Sequence, residues 1–265
     1  MRFCRFQTNG QTQYGLIESA AGKDEITRLL LKPPDEGNDP EDLPTRRISP
    51  IPLAEAKLTF PVRPSKIVCV GRNYRAHAAE LGNEVPQEPL LFFKPPSSLL
   101  APEGEIVRPK ISQRTDYEGE LGVIIGRRAR KLRPDEDVRP YILGYTVVND
   151  FTARDIQKSD SQWTRGKGFD TFCPVGPIVT SELDPWAGVN VETRVNGEVR
   201  QQGNTNDFIF ALDVIIRYIA DVMTLEPGDL IATGTPEGVG PVVAGDLIEV
   251  SVDGIGTLRN RVVDE

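Results

Sequence analysis

Asp116-Tyr117-Glu118-Gly119-Glu120 runs directly into Leu121-Gly122-Val123-Ile124-Ile125. The second half has the length and β-branched content of a buried strand, so acids are written into its start. Side chains at i and i+2 of a strand share one face and step about 6.6–7 Å apart. Glu118 and Glu120 therefore point together, with Asp116 at the outer end. Carboxylates crowded on a half-buried face repel one another and hold either a proton or a cation. Periodicity alone leaves open a solvated edge strand, or salt bridges to Arg114 or Arg127.

Composition narrows the setting. A chain of 265 residues can form one large domain, or a large one with a small companion. With 24 Gly and 22 Pro, many turns and short strands are favoured over long helices. The net charge of -8 argues against nucleic acid or an anionic membrane as partner and leaves small molecules. No apolar run has transmembrane length, and Met1-Arg2-Phe3-Cys4-Arg5-Phe6 lacks the core of a signal peptide, so a cytoplasmic protein is expected. Cys4, Cys69 and Cys173 are too scattered for a disulfide framework, and Cys69, inside Ile67 to Val70, reads as a core residue. His77 is the single histidine, which excludes a multi-histidine zinc site. Any metal must be held by oxygen.

Along the chain, Arg2 to Gln7 and Tyr14 to Glu18 flank the turn signal Asn9-Gly10 and predict a small β-rich piece. Prolines crowd Lys32 to Pro64 and suit a linker along a surface, which sets a boundary near residue 62. The division is thus residues 1–62, a small N-terminal β-rich domain with its linker, and 63–265, the catalytic domain. In the second part, Lys66 to Val70, Pro89 to Phe93, Glu120 to Ile125 and Ile142 to Val148 read as strands. Ala76, Ala78 and Ala79 favour a short helix over Asn73 to Leu81, ended by Gly82. Val189 to Val195, Asn196-Gly197 and Glu198 to Gln202 signal a hairpin. Asp207 to Met223 reads as a helix capped by Asn206 or Thr205, with Phe208, Leu212, Ile215, Ile216, Ile219 and Val222 as its apolar stripe. Leu230 to Thr233, Leu247 to Val252 and Ile255 to Val262 close the chain as strands.

Three further constellations carry chemistry. Asp150 follows a strand ending at Asn149; it could cap a helix beginning near Ala153, or join Glu118 and Glu120 as three oxygen ligands for Mg²⁺ or Mn²⁺, leaving positions for water and a chelating substrate. Lys167 lies among Trp163, Phe169 and two glycines, where it could steady a carboxylate or oxyanion, or snorkel along the surface. In Gly71-Arg72-Asn73-Tyr74, followed by His77 and Glu80, helical i, i+3 spacing would put a carboxylate beside an imidazole, as a general base needs; a surface ion pair is the alternative. Thr233 to Gly240 is a Gly-rich turn whose amides could receive a carboxylate, but it lacks the pattern of a nucleotide loop.

The ordered strings GRNYRAH (71–77), DYEGELGVIIG (116–126), NDFTARD (149–155), WTRGKGFDTFCPVGP (163–177), VNGEVRQQGNT (195–205) and LIATGTPEGVG (230–240) resemble the fumarylacetoacetate hydrolase family, over residues 66 to 262. The similarity is greatest to short members described as acylpyruvate and fumarylpyruvate hydrolases, oxaloacetate decarboxylases and 2-hydroxyhepta-2,4-diene-1,7-dioate isomerases. It implies a mixed, mainly β sandwich or roll with few helices, and a homodimer. It implies Mg²⁺ or Mn²⁺ on Glu118, Glu120 and Asp150, with Ca²⁺ as a stand-in in crystals and Asp116 outside the ligand set. It also implies that Lys167 and Gln157 address a 2-oxo acid substrate or a metal-bound water, that Thr235 seats its carboxylate, and that His77 and Glu80 form a dyad on a lid. Arg72 and Tyr74 are the remaining candidate substrate contacts. The implied reaction is hydrolysis of a carbon-carbon bond in a 2,4-dioxo acid, with decarboxylation or isomerisation at the same site as the alternative.

Overall fold

The computed structural model describes residues 1–20, 22–37, 42–80 and 84–265. The chain opens with β1 (Arg2–Thr8), β2 (Gln11–Ala20) and β3 (Lys23–Leu30), joined first through Asn9 and Gly10, whose positive φ of 49° and 72° suits the tight turn. The proline-rich stretch expected as a linker instead holds β4 (Thr45–Pro52) and β5 (Lys57–Thr59). Among the described residues β4 pairs only with β3 and forms one edge of the sheet, a position that tolerates Pro50 and Pro52.

Then follow β6 (Ile67–Gly71), α1 (Arg75–Glu80), β7 (Leu90–Lys94), β8 (Leu99–Leu100), β9 (Glu105–Arg108), β10 (Thr115–Tyr117), β11 (Gly119–Ile125) and β12 (Ile142–Asn149). β13 (Thr152–Ala153), α2 (Arg154–Ser159), α3 (Thr164–Lys167), β14 (Cys173–Thr180), β15 (Asn190–Val195) and β16 (Glu198–Asn204) lead to α4 (Leu212–Val222). β17 (Leu230–Ala232), β18 (Gly240–Val242), β19 (Leu247–Val252) and β20 (Gly256–Asp264) complete the chain. The Gly82 expected to end α1 lies outside the described residues.

The fold is mainly β, with short helices. The large sheet runs β4-β3-β2-β1-β14-β12-β11-β17-β6-β7, with β5 on β1 and β8 on β14. β1 joins the first strands to the rest, pairing Arg2 with Thr180 and Phe3 with Val179. A second sheet, β16-β15-β19-β20-β9, packs against β11: Leu121, Val123 and Ile125 share one core with Val191, Val250 and Leu258. Ile124 faces the other way, into a core with Ile67, Cys69 and Leu230. Strand alternation thus places Gly119 toward the second sheet and Glu118 and Glu120 on the opposite face. Asn196 and Gly197, with φ of 52° and 82°, turn the β15–β16 hairpin as their sequence predicts.

The expected Asp207–Met223 helix begins later, at Leu212. Thr205–Asp207 forms one 3-10 turn capped by Asn204, and the next residues are drawn into extended contacts: Ile209 N–H donates to Asn73 O at 2.7 Å and Phe210 N–H to Asn73 Oδ1 at 2.8 Å. Phe208 therefore lies outside the helix, and Val222 is 62% exposed rather than part of the buried stripe. Tertiary hydrogen bonding overrode local helical periodicity here.

Asp229, fully buried, pins the start of β6 beside β17. Its carboxylate accepts from Ser65 N–H at 3.0 Å, Ser65 Oγ at 2.6 Å, Lys66 N–H at 3.2 Å and Glu226 N–H at 2.8 Å, and pairs with Lys66 Nζ. Replacing Asp229 by Ala removes the acceptor of several part-buried donors and is expected to destabilise the fold by about 2 kcal/mol, read as a lower urea midpoint. No helix among the described residues is long and apolar enough to cross a membrane, which says nothing of crossing by strands.

Candidate active site

Antiparallel pairing of β11 and β12 sets Gly119 opposite Asn149, so Asp150 arrives beside the two glutamates although it is distant in sequence. Asp150 N–H donates to Glu118 O at 2.8 Å, and Glu118 N–H to Asn149 Oδ1 at 3.0 Å, which fixes the corner. Glu118, Glu120 and Asp150 are all buried, and one carboxylate oxygen from each lies within 4.8 Å of the others. Asp150 does not cap α2; its side chain turns to two lysines.

Three buried cations compensate the cluster. Lys167 Nζ donates to Glu118 Oε2 at 2.7 Å and also to Asp150 Oδ2, and it lies 4.8 Å from the Phe92 ring centre. Lys94 Nζ donates to Asp150 Oδ1 at 2.6 Å and to Phe151 O at 3.0 Å. Arg154 bridges Glu118 Oε1 and Asp116 Oδ2, the latter at 2.9 Å, and Asp116 is clamped from its far side by Arg114. Asp116 is thus an anchor for Arg154, outside the group of three acids. Lys167, 3% exposed, is no surface lysine.

Charge is distributed unevenly over the acids. Burial alone would raise the Glu118 carboxyl, but Lys167 and Arg154 outweigh it and hold the group well below the usual carboxylate range. Burial, joined by repulsion from Asp150 and Glu118, pushes Glu120 well above that range. Burial opposes the Lys167 charge, but Asp150 and Glu118 outweigh it and raise its pKa. Among the described residues Glu120 forms no ion pair; its carboxylate accepts one hydrogen bond, from Gly234 N–H at 2.8 Å. A buried carboxyl with no ion-pair partner among the described residues, next to two carboxylates in ligand range, is an oxygen donor set that fits a divalent metal.

The cluster forms the floor of a cavity of about 450 Å³. It is also lined by His77, Glu80, Arg72, Gln157, Lys158, Trp163 and Thr235. His77 Nδ1 lies 3.3 Å from Glu80 Oε2, and Glu80 Oε1 accepts from Gly238 N–H at 3.0 Å. A carboxylate at Nδ1 favours the tautomer that leaves the Nε2 lone pair free. His77 is buried rather than a surface ion pair. Asn73 anchors the base of α1: its Nδ2 donates to Thr233 O at 2.8 Å and Phe210 O at 3.2 Å.

Tyr74 is not brought to this cavity. It is 1% exposed and packs edge-on against Phe208 at 5.0 Å, and its hydroxyl is buried without a hydrogen-bond partner among the described residues. Arg72 has a positive φ of 57°, and this turn sends Arg72 to the wall while Tyr74 enters the core. Sequence reasoning missed Lys94 and Arg154. A lysine closing the apolar run Leu90 to Phe93, and an arginine inside NDFTARD, were the available signals.

A mainly β fold with an acid-floored pocket of small-molecule size defines the class of this protein. The chain belongs to the fumarylacetoacetate hydrolase family, whose members are enzymes: residues 66–263 match "Fumarylacetoacetate (FAA) hydrolase C-terminal", and residues 1–61 match "Rv2993c-like, N-terminal". It is similar to oxaloacetate tautomerase YisK of Bacillus subtilis, 44% identical over 225 residues that cover 79% of this chain and 74% of that one. Among solved structures, 5-carboxymethyl-2-hydroxymuconate delta-isomerase from Mycobacterium smegmatis superposes over the whole of both chains with a TM-score of 0.89 and 37% identity. Fumarylpyruvate hydrolase from Pseudomonas aeruginosa, solved in complex with Mn²⁺ and pyruvate, matches with a TM-score of 0.71 and 36% identity, over 78% of this chain and 91% of that one.

Proposed function

We propose that this protein is a divalent-metal-dependent hydrolase that cleaves the C3–C4 bond of a 2,4-dioxo acid of the acylpyruvate or fumarylpyruvate type. The observation that carries the reading is that the His77–Glu80 pair lines the same cavity as three carboxylates whose oxygens lie within 4.8 Å of one another. Glu118, Glu120 and Asp150 would hold Mg²⁺ or Mn²⁺, which supplies a Lewis acid for the 2-oxo acid end of the substrate. His77, oriented by Glu80, takes a proton from water. The resulting hydroxide attacks the C4 carbonyl, the C3–C4 bond breaks, and its electron pair passes to the pyruvate fragment as an enolate that is protonated at C3. Lys167 offers a fixed positive charge to that developing oxyanion. Arg72, Gln157 and Thr235 are the wall residues available to orient the substrate.

A second reading uses the same floor without the water: decarboxylation or isomerisation of a 2-oxo diacid, which needs enolate stabilisation but no hydrolytic base. It is supported by relatives that include an isomerase and a tautomerase. The test is a panel of acylpyruvates and oxaloacetate, with purified protein stripped by chelator and then reloaded with Mn²⁺ or Mg²⁺. Acylpyruvate turnover is expected to vanish on stripping and return on reloading. A loaded site that turns over no acylpyruvate would end the hydrolytic reading.

A further inference from the structure

The glycine between the two glutamates presents a structural problem. A Cβ at Gly119 would collide with Thr193 Oγ1 and lie 2.8 Å from Val250 Cγ1, so the close approach of the second sheet requires glycine there. Glycine is also the residue with the widest backbone freedom. The one residue whose rotation would swing Glu118 and Glu120 relative to each other is therefore the one least able to hold itself still.

A closed ring of hydrogen bonds supplies the missing restraint. Gly119 N–H donates to Gln201 Oε1 at 3.0 Å, Gln201 Nε2 donates to Thr235 Oγ1 at 2.7 Å, and Thr235 Oγ1 donates to Gly119 O at 2.9 Å. Gln201 Nε2 also donates to Pro236 O at 2.8 Å. Flipping the amide would face the Gly119 N–H with an NH₂ group and leave two acceptors facing an oxygen, so only one orientation of Gln201 satisfies every partner. Gln201 is 1% exposed on β16 of the second sheet, and it is absent from the cavity wall.

We propose that Gln201 is a positioning residue that holds the Glu118 and Glu120 carboxylates at the spacing a divalent cation needs, by locking the backbone of Gly119 through this ring. The proposal rests on the cation reading of the acid cluster. It acts through backbone geometry, and no contact between Gln201 and substrate is involved.

The test is calorimetric titration of Mn²⁺ alone into the full-length protein, with thermal melts alongside. Gln201→Leu and Thr235→Val break the ring from opposite sides, and each is expected to bind Mn²⁺ about 10–100-fold more weakly. Because both break one ring, the double variant is expected to bind no more weakly than either single. Thr235→Ser keeps the hydroxyl and is expected to keep wild-type affinity. Should Gln201→Leu fail to fold, Thr235→Val carries the comparison. Melting temperatures that fall while both variants keep wild-type Mn²⁺ affinity would overturn the proposal. Wild-type protein that binds no Mn²⁺ would overturn the cation reading itself, a distinct result.

Discussion

Replacing His77 by Ala is expected to slow acylpyruvate hydrolysis by about 10²–10⁴-fold, the contribution of a positioned general base, while oxaloacetate decarboxylation persists or rises. His77 is the single histidine of the chain, so no second imidazole can take over. Its Nδ1 is engaged by Glu80, which is itself held by Gly238 N–H, leaving Nε2 as the base. Hydrolysis needs a proton removed from water, whereas decarboxylation expels CO₂ and asks the site only to stabilise the enolate left behind. The groups for that step, Lys167 and the acid floor, are untouched by the substitution. Mn²⁺ affinity should also stay near wild type, because His77 lies outside the three-carboxylate group. Steady-state rates on both substrates, with metal loading measured in parallel, decide the matter. Equal loss of both reactions would defeat this division of labour.

What was legible in the sequence follows from the range of the interactions involved. The acidic strand could be read because period-2 alternation is local: Glu118 and Glu120 share a face whatever the rest of the chain does. The hairpin at Asn196-Gly197 was legible for the same reason. Reading the residues offered Asp150 either as a helix cap or as a third ligand beside Glu118 and Glu120, the resemblance of whole strings of sequence implied the second, and the β11–β12 register gives the physical cause of their meeting. Lys94 and Arg154 left only faint signals in the sequence, because what brings each to the acid cluster is a partner 56 or 36 residues away. The same limit explains Tyr74 and the start of α4. Both depend on Asn73 meeting Ile209 and Phe210, and Tyr74 meeting Phe208, across the fold, contacts no window of sequence contains. The prolines of residues 32–64 signalled a linker, but an edge strand has the same tolerance for them.

The buried lysines make the second large effect. Replacing Lys94 by Met keeps the length and apolar stem of the side chain but removes its charge from Asp150 and its hydrogen bond to Phe151 O. The Lys94 side chain is fully buried and that of Asp150 is 1% exposed, so water cannot replace the lost partner. Breaking a buried pair in this way costs about 3–5 kcal/mol, and the metal-free protein is expected to melt on the order of 10 °C lower. The exposed pair Lys131–Asp221 supplies the contrast, since Lys131→Met should leave the melting temperature where it was. Added Mn²⁺ should restore part of the Lys94→Met loss, because a cation among Glu118, Glu120 and Asp150 again neutralises the stranded carboxylate and binds only the folded state. Recovery should then depend on the cluster: it should appear in Lys94→Met and be absent when Glu120→Gln is added, because that change removes a ligand charge without touching the lysine. A Lys94→Met protein that melts with wild type in the absence of metal would show that Lys167 alone compensates Asp150, and that Lys94 is dispensable to the site.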